Sequence, residues 1–258
     1  MKSNNNISYE YSNFCKGLEP VGRILELEDW HVWGCSPIQG PDNKIHVFFS
    51  RWPYETGHKG WLTDCEIAHA VADKPGGPYR VLGSVLKGRC GNYWDAATIH
   101  NPSVHKVGEE KYAMFYMGNS DRTVKTQRIG MALADSLGGP WKRVGNKPII
   151  DVSYNINDWD SYITTNPTFI QHPDGNYWLY YKAWDKYNDN RRKYGLAIAE
   201  DIEGPYIKYE DNPIVSFADI DAEVEDACVF SVNGSFHMIL RDMGVIDNRV
   251  GLYLNSYD

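Results

Sequence analysis

The sequence has 258 residues, of which 42% are hydrophobic and 14% aromatic, and its formal net charge is −8 at pH 7. An acidic chain without a clustered basic patch argues against nucleic acid or an anionic membrane surface as a partner. No run in it approaches the roughly 18 apolar residues that a membrane-spanning helix needs. We therefore expect one soluble domain, because all-β chains of this length commonly fold as a single unit.

The cysteines are irregularly spaced and predict neither a disulfide framework nor a zinc site. Their odd number favours reduced thiols and a cytoplasmic location for the chain as written. The alternative is a secreted or periplasmic protein whose signal peptide has been removed. We expect no cofactor other than, at most, a calcium ion on the axis of the fold. The five cysteines are Cys15, Cys35, Cys65, Cys90 and Cys228.

In chain order, the sequence begins with a polar N-terminal segment, residues 1–29, whose apolar part at residues 21–27 predicts one closing strand. After Trp30 a repeat of roughly sixty residues begins. Each repeat contains a strand of the type Ala-x-Ala-Asp/Glu, a tight turn and an aromatic outer strand. The turns are Gly77-Pro78, Gly139-Pro140 and Gly204-Pro205.

A second pair of strands precedes each of these turns, so each repeat has the four strands of a propeller blade. A fourth repeat is recognisable, and the sequence ends before its Gly-Pro turn. We predict an all-β propeller of the five-bladed type with four recognisable blades and an incomplete or missing last blade. The alternative is an open β-sandwich. The predicted single domain has blades at 30–85, 95–148, 160–212 and 224–258, with 1–29 as a closing segment.

Acidic residues stand at the entrance of each blade, where the innermost strand starts to line the central cavity. Several carboxylates facing one pocket would repel one another, which separates their pKa values into an acid and a base. For Asp95 and Asp160, capping of turns through the local backbone is an equal alternative. Glu225 and Asp226 are poorly explained by turn chemistry. The candidate catalytic residues are Asp29, Asp95, Asp160, Glu225 and Asp226.

Polar and aromatic residues near the same strands are candidates for binding a sugar. Amides and imidazoles can hydrogen-bond hydroxyl groups, cations can reach a substrate or pair with the acids, and an indole ring can stack on a sugar. Turn, core and surface roles are the alternatives for each of them. The candidates are Trp33, Arg51, His100, Asn101, Asn166, Lys182 and Arg241.

The blade pattern resembles the five-bladed propeller glycoside hydrolases, above all glycoside hydrolase family 43 and relatives such as family 117. The resemblance is carried by the Gly-x-Ala-x-Ala-Asp/Glu strands, the Gly-Pro-aromatic turns and the Asp-Gly-x-Tyr turn at residues 174–177. It implies inverting hydrolysis of oligosaccharides or polysaccharides, in which one carboxylate activates water and another protonates the leaving oxygen. It also implies Asp29 as the base, with acid or pKa-tuning roles for the other four acids.

The sequence departs from the family pattern at the inner strands. Cys35-Ser36-Pro37 stands where family 43 has Asp-Pro in its first blade, and blades 2 and 3 carry Asn-Pro pairs. Asp226 alone stands where an aspartate is expected. The alternatives to a hydrolase are therefore a catalytically inactive carbohydrate-binding propeller and a glycoside phosphorylase. Exposed strands at an unfinished blade also predict a homodimer that completes the ring.

Overall fold

The computed structural model describes residues 13–246 and 251–257. These residues form fifteen strands in four antiparallel sheets, and within each sheet the strands follow one another in chain order. Three of the sheets have four described strands and the last has three; we call them blades 1 to 4. No helix in this part of the chain is long and apolar enough to cross a membrane.

The elements have the following bounds. Two short helices are α1 (Asn13–Lys16) and α2 (Gly60–Thr63). Blade 1 contains β1 (Trp30–Gln39), β2 (Ile45–Pro53), β3 (Glu66–Ala72) and β4 (Arg80–Leu86). Blade 2 contains β5 (Thr98–Gly108), β6 (Lys111–Asn119), β7 (Arg128–Ala134) and β8 (Lys142–Arg143). Blade 3 contains β9 (Ile163–Gln171), β10 (Tyr177–Trp184), β11 (Lys193–Ala199) and β12 (Ile207–Lys208). Blade 4 contains β13 (Glu223–Val232), β14 (Ser235–Met243) and β15 (Gly251–Ser256).

Four separate meander sheets are the arrangement of propeller blades, whereas a sandwich has two sheets packed face to face. The prediction of an all-β propeller with four recognisable blades is confirmed, and the sandwich alternative is wrong. The strands are rich in aromatic and β-branched residues, which pack well on both faces of a buried sheet. Strand β3, for example, is buried along its whole length.

A Trp-Asp pair anchors blade 2 internally, and the same pair recurs in blade 3. The Trp94 ring stacks on Tyr116 at 5.8 Å, and the Tyr116 hydroxyl donates a hydrogen bond to Asp95 at 3.0 Å. A Cβ atom on Gly130 would lie 2.4 Å from the Trp94 ring, so only glycine leaves room for the indole. In blade 3, Trp159, Asp160, Tyr181 and Gly195 make the corresponding contacts.

Much of the hydrophobic core lies between neighbouring blades, and the Gly-Pro turns of blades 2 and 3 each contribute an aromatic ring to it. Trp141, after the turn of blade 2, packs edge-on against Phe48 of blade 1 at 5.4 Å. Tyr206, after the turn of blade 3, packs edge-on against Phe115 of blade 2 at 6.1 Å. Both rings are buried in clusters shared by the two blades. The glycine of each turn has a positive φ of 80° to 92°, which disfavours other residues.

The N-terminal segment lies against blade 1 rather than pairing as a closing strand. Leu25 and Leu27 pack against a buried cluster of blade 1, which consists of Val47, Phe49, Ala68 and Ala70. Within residues 21–27, the structure shows one isolated bridge, from Leu27 to Trp30, and no strand. The closing strand predicted at residues 21–27 is therefore wrong, and residues 1–12 of that predicted segment lie outside the described residues.

Candidate functional site

The inner strand of every blade has a β-bulge at the same register. The pairing between inner and second strand shifts after Trp33, His100, Thr165 and Glu225. The residue that follows each of them has a left-handed backbone, with φ between 46° and 56°. These four equivalent bulge residues are Gly34, Asn101, Asn166 and Asp226.

The position of the bulge in blade 1 differs from the one that the sequence alignment of the blades predicted. The sequence pattern aligned Cys35 with Asn101 of blade 2. The strand register instead makes Gly34, one residue earlier, the equivalent of Asn101. A Cβ atom at Gly34 would lie 2.7 Å from Oδ1 of Asn101, so the amide of blade 2 occupies the space beside this glycine. Blade 1 therefore contributes no side chain at the position where the other blades contribute an amide or a carboxylate.

A pocket of about 390 Å³ opens where the four bulges converge. All four blades contribute to its walls, and the lining residues include two carboxylates, three cations, four tryptophans and several amide and imidazole groups. The lining residues are Trp33, Trp52, His58, Trp61, His100, Asn101, Met117, Val124, Gln127, Asn166, Lys182, Trp184, Arg192, Glu225, Asp226 and Arg241.

Two consecutive carboxylates, Glu225 and Asp226, both line this pocket. Successive residues of a regular strand point to opposite faces, but the left-handed backbone at Asp226 turns both side chains toward one cavity. Glu225 accepts a hydrogen bond from the Lys182 ammonium group, and Arg241 Nη1 lies 3.7 Å from its second oxygen. Asp226 accepts a hydrogen bond from the Asn166 amide.

The pKa values of the two carboxyl groups move in opposite directions. Burial acts to raise the pKa of Glu225, but the charges of Lys182, Arg192 and Arg241 outweigh it, and the pKa lies below its ordinary value. Burial also raises the pKa of Asp226, and the neighbouring Glu225 charge raises it further. The nearby cations do not offset these two effects, so the pKa of Asp226 lies above its ordinary value.

His100 is a neutral group in the wall of the pocket. Burial lowers its pKa to about 4. Its Nδ1 lies 3.4 Å from Oδ1 of Asn101, and Nε2 is buried without a hydrogen-bond partner among the described residues. Gln127 Nε2, in the same pocket, is also buried without such a partner. Two polar atoms of pocket-lining residues therefore lack a hydrogen-bond partner among the described residues.

Indole rings form much of the remaining wall. Trp33 is 45% exposed at the mouth of the pocket, and its ring lies edge-on to His58 at 6.2 Å. Trp61 lies edge-on to His100 at 5.3 Å. On the other side, the Arg192 guanidinium lies 5.4 Å from the centre of the Trp184 ring. Flat apolar rings beside hydrogen-bonding groups are typical of sites that hold sugar rings.

Eight of the predicted site residues line the pocket together. They are Trp33, His100, Asn101, Asn166, Lys182, Glu225, Asp226 and Arg241. The four others, Asp29, Asp95, Asp160 and Arg51, lie elsewhere.

Asp95 and Asp160 are buried inside their blades and do not line the pocket. Asp95 accepts hydrogen bonds from Arg89 at 2.5 Å and Arg143 at 2.8 Å, and Lys208 donates to Asp160 at 2.5 Å. Both side chains therefore bind cations from elsewhere in the blade. Capping of the local turn, the alternative considered for them, is not their main contact.

Asp29 and Arg51 lie outside the pocket, each for a different reason. Asp29 is exposed before β1, where its carbonyl group accepts a hydrogen bond from the Tyr54 amide at 2.9 Å. Arg51 pairs with Glu66 at 2.8 Å and lies over the Trp30 ring. The register makes Ser50 the counterpart of Lys182 and Arg241, so Arg51 projects from the opposite face of its strand.

Arg192, Gln127 and Trp61 line the pocket, although the sequence patterns did not indicate them. Arg192 and Gln127 are equivalent, because each immediately precedes the third strand of its blade. The repeat itself could have revealed this pair once the third strands were aligned. Trp61 lies in α2, a short α-helix in the connection between the second and third strands of blade 1; no α-helix is described in the corresponding connections of blades 2 and 3.

Among the described residues, no group of three histidine, cysteine, aspartate or glutamate side chains is arranged to hold a metal ion. Four of the cysteines have described side chains, and all four are free thiols: Cys35, Cys65, Cys90 and Cys228.

Known proteins resemble this chain in sequence and in fold. No family model matches it. An extracellular endo-α-(1→5)-L-arabinanase from Thermotoga petrophila is 28% identical over 121 residues, which are 44% of this chain and 24% of the arabinanase. The matched part therefore spans about a quarter of that relative.

Solved structures extend the similarity to most of the chain. Zg3597, a family 117 glycoside hydrolase from Zobellia galactanivorans, superposes with a TM-score of 0.72 at 20% identity, covering 89% of this chain and 67% of its own. A thermostable family-43 glycoside hydrolase superposes with a TM-score of 0.60 at 18% identity, covering 82% and 65%. The chain thus has the propeller fold of glycoside hydrolase families 43 and 117, and the resemblance indicated by its blade pattern is confirmed.

Proposed function

We propose that this chain is a glycoside hydrolase that cleaves its substrate in the pocket formed by the four bulges. The observation that carries the proposal is the pair Glu225 and Asp226, two carboxyl groups in one cavity whose pKa values are shifted in opposite directions. Titratable groups separated in this way are the usual basis for assigning an acid and a base.

Asp226 is the proposed proton donor, because a raised pKa keeps the carboxyl group protonated to higher pH. Its proton passes to the oxygen of the leaving sugar as the glycosidic bond breaks. Glu225 is held ionised by Lys182, Arg192 and Arg241 and is the proposed base that takes a proton from the attacking water. Attack by water on the face opposite the leaving group inverts the configuration at the anomeric carbon.

The remaining groups of the pocket bind and orient the sugar. His100 Nε2 and Gln127 Nε2 lack partners among the described residues, and sugar hydroxyls can satisfy both. Trp33, at the mouth, can stack on the apolar face of a pyranose or furanose ring. Asn166 fixes the Asp226 carboxyl group through its amide, so the acid does not depend on substrate for its orientation.

Two further functions have a specific observation in their favour. A glycoside phosphorylase needs cations for phosphate, and three line the pocket: Lys182, Arg192 and Arg241. A carbohydrate-binding propeller without activity is favoured by Gly34, because blade 1 contributes no carboxylate where the family resemblance expects one.

The proposal is tested by incubating the protein with aryl glycosides and plant or algal oligosaccharides, with and without phosphate, and measuring released reducing sugar. We expect release without phosphate, and a loss of roughly 10²- to 10⁴-fold in kcat for Asp226→Asn, the range in which general acid catalysis contributes. Asp73→Asn is the matched control, since the Asp73 side chain is 90% exposed on the surface. NMR of the first product gives its anomeric configuration.

The outcomes separate the three functions. Unchanged turnover in Asp226→Asn removes Asp226 from the chemistry. Release that requires phosphate identifies a phosphorylase. No release of reducing sugar from any substrate, combined with sugar binding in calorimetry, identifies a binding propeller.

A further inference from the structure

A second cavity, of about 680 Å³, lies between blades 3 and 4, away from the sugar pocket. Its walls are mainly apolar and come mostly from the second and third strands of both blades. Residues that line it include Trp178, Tyr180, Leu196, Ile198, Met238 and Leu254. We call it the blade 3 socket.

Strand register identifies the same surface in the other blades. Tyr180 pairs with Leu196 in blade 3, as Phe115 pairs with Met131 in blade 2 and Phe48 with His69 in blade 1. Each of these second-strand rings lies one pair away from its bulge on the inner strand. Phe48, Phe115 and Tyr180 are therefore equivalent.

In blades 1 and 2 this surface is covered by a segment of the following blade. Trp141 covers Phe48, and Tyr206 covers Phe115, each directly after a Gly-Pro turn. Leu137 and Ile202, from the same two turns, are buried in the same clusters. An apolar residue, a Gly-Pro turn and an aromatic ring thus fill the two equivalent sites.

The opposite wall of the socket is equivalent as well. Met238 pairs with Leu254 in blade 4, as Met114 pairs with Ala132 in blade 2. Met114 and Ala132 belong to the cluster that holds Trp141. Both walls of the blade 3 socket therefore match a site that is occupied elsewhere in this chain.

We propose that the blade 3 socket binds an extended peptide segment containing an apolar residue, a Gly-Pro turn and a tryptophan or tyrosine. The aromatic ring packs on Tyr180, and the strand after the turn lies along β15, the outermost described strand of blade 4. Trp178 Nε1 is buried in this region without a hydrogen-bond partner among the described residues, and a carbonyl of the incoming segment can accept from it.

A peptide that copies residues 135–144, Asp-Ser-Leu-Gly-Gly-Pro-Trp-Lys-Arg-Val, is the probe, because this segment fills the equivalent site of blade 1. Fluorescence anisotropy of the labelled peptide is measured as the protein is added. We expect saturable binding, weakened about tenfold or more when the tryptophan of the peptide is replaced by alanine, since buried aromatic anchors dominate such interfaces. Equal binding of both peptides, or no saturation by about 1 mM protein, overturns the proposal.

Variants of the protein place the peptide in the socket. Ile198→Glu puts a charge on the wall and should abolish binding, whereas Leu82→Glu, at an exposed apolar residue of blade 1, should leave it unchanged. Retained binding in Ile198→Glu overturns the assignment to this cavity. Sedimentation tests the other occupant: a dimer of the chain that Ile198→Glu converts to monomers, without peptide binding by either form, shows that a second copy fills the socket instead.

Discussion

Replacing the blade aspartates tests whether they hold the fold or perform chemistry. The Asp95 side chain has no exposure, and it is shared by Arg89, which is 13% exposed, and Arg143, which is 18% exposed. Asp95→Asn keeps the shape of the side chain but leaves two cations with a neutral partner. Removing one partner of a buried ion pair costs about 3 to 5 kcal/mol in the free energy of unfolding.

Asp160→Asn is the matched comparison, because Asp160 occupies the same place in blade 3. Its cation, Lys208, is single and 33% exposed, so water can take over its solvation. Loss of a hydrogen bond to a charged group costs about 1.5 to 3 kcal/mol, so Asp95→Asn should be the more destabilising variant by about 1 to 2 kcal/mol.

Urea unfolding, followed by tryptophan fluorescence, measures both free energies. A surface variant, Asp73→Asn, supplies the baseline. Equal or reversed costs for the two blade aspartates would refute the reasoning from their cations. Loss of sugar cleavage at unchanged stability in either variant would return that residue to the chemistry.

Three more predictions concern the pocket and the blade packing. If Asp226 is the proton donor, kcat/KM should fall as the pH rises through its raised pKa, because the donating form exists below that value. Lys182→Met removes a cation that lowers the same pKa, so this alkaline limb should move to higher pH; a shift to lower pH would contradict the proposed charge coupling. Gly130→Ala should destabilise the protein by about 1 to 3 kcal/mol, because its Cβ would lie 2.4 Å from Trp94, whereas Gly76→Ala meets nothing within 4 Å and serves as the control in thermal unfolding.

The propeller could be predicted because its determinants are local and repeated. A Gly-Pro turn with a positive φ at the glycine, followed by an aromatic residue, marks the outer strand of a blade wherever it occurs. Local signals also found Asn101 and Asn166, since the proline after each makes the bulge visible in the sequence. In blade 1 no proline directly follows the bulge glycine, since Pro37 is three residues beyond it, and the predicted alignment there was wrong by one residue.

The errors in the site arise from contacts that sequence order hides. Asp95 has a structural partner in Arg143, 48 residues away, which the repeat alone does not reveal. Arg51 was predicted at the pocket but lies one residue away from the strand position that faces it. A shift of one residue along a strand moves a side chain to the opposite face of the sheet. Of the five predicted catalytic residues, the two that line the pocket are adjacent residues of β13, Glu225 and Asp226.

The left-handed backbone of the bulges restricts which residue types can occupy these four positions at the pocket. Glycine, asparagine and aspartate tolerate a positive φ better than other residues, and these three are the residues found at the four bulges. Asparagine and aspartate have nearly the same shape, so a single exchange between them turns a neutral hydrogen-bonding group into a charge without disturbing the strand. The space at Gly34 is filled by the amide of Asn101. The residue types that fit at these two positions of blades 1 and 2 therefore depend on each other. New specificities can therefore arise on this scaffold through a small set of interchangeable side chains while the blades stay as they are.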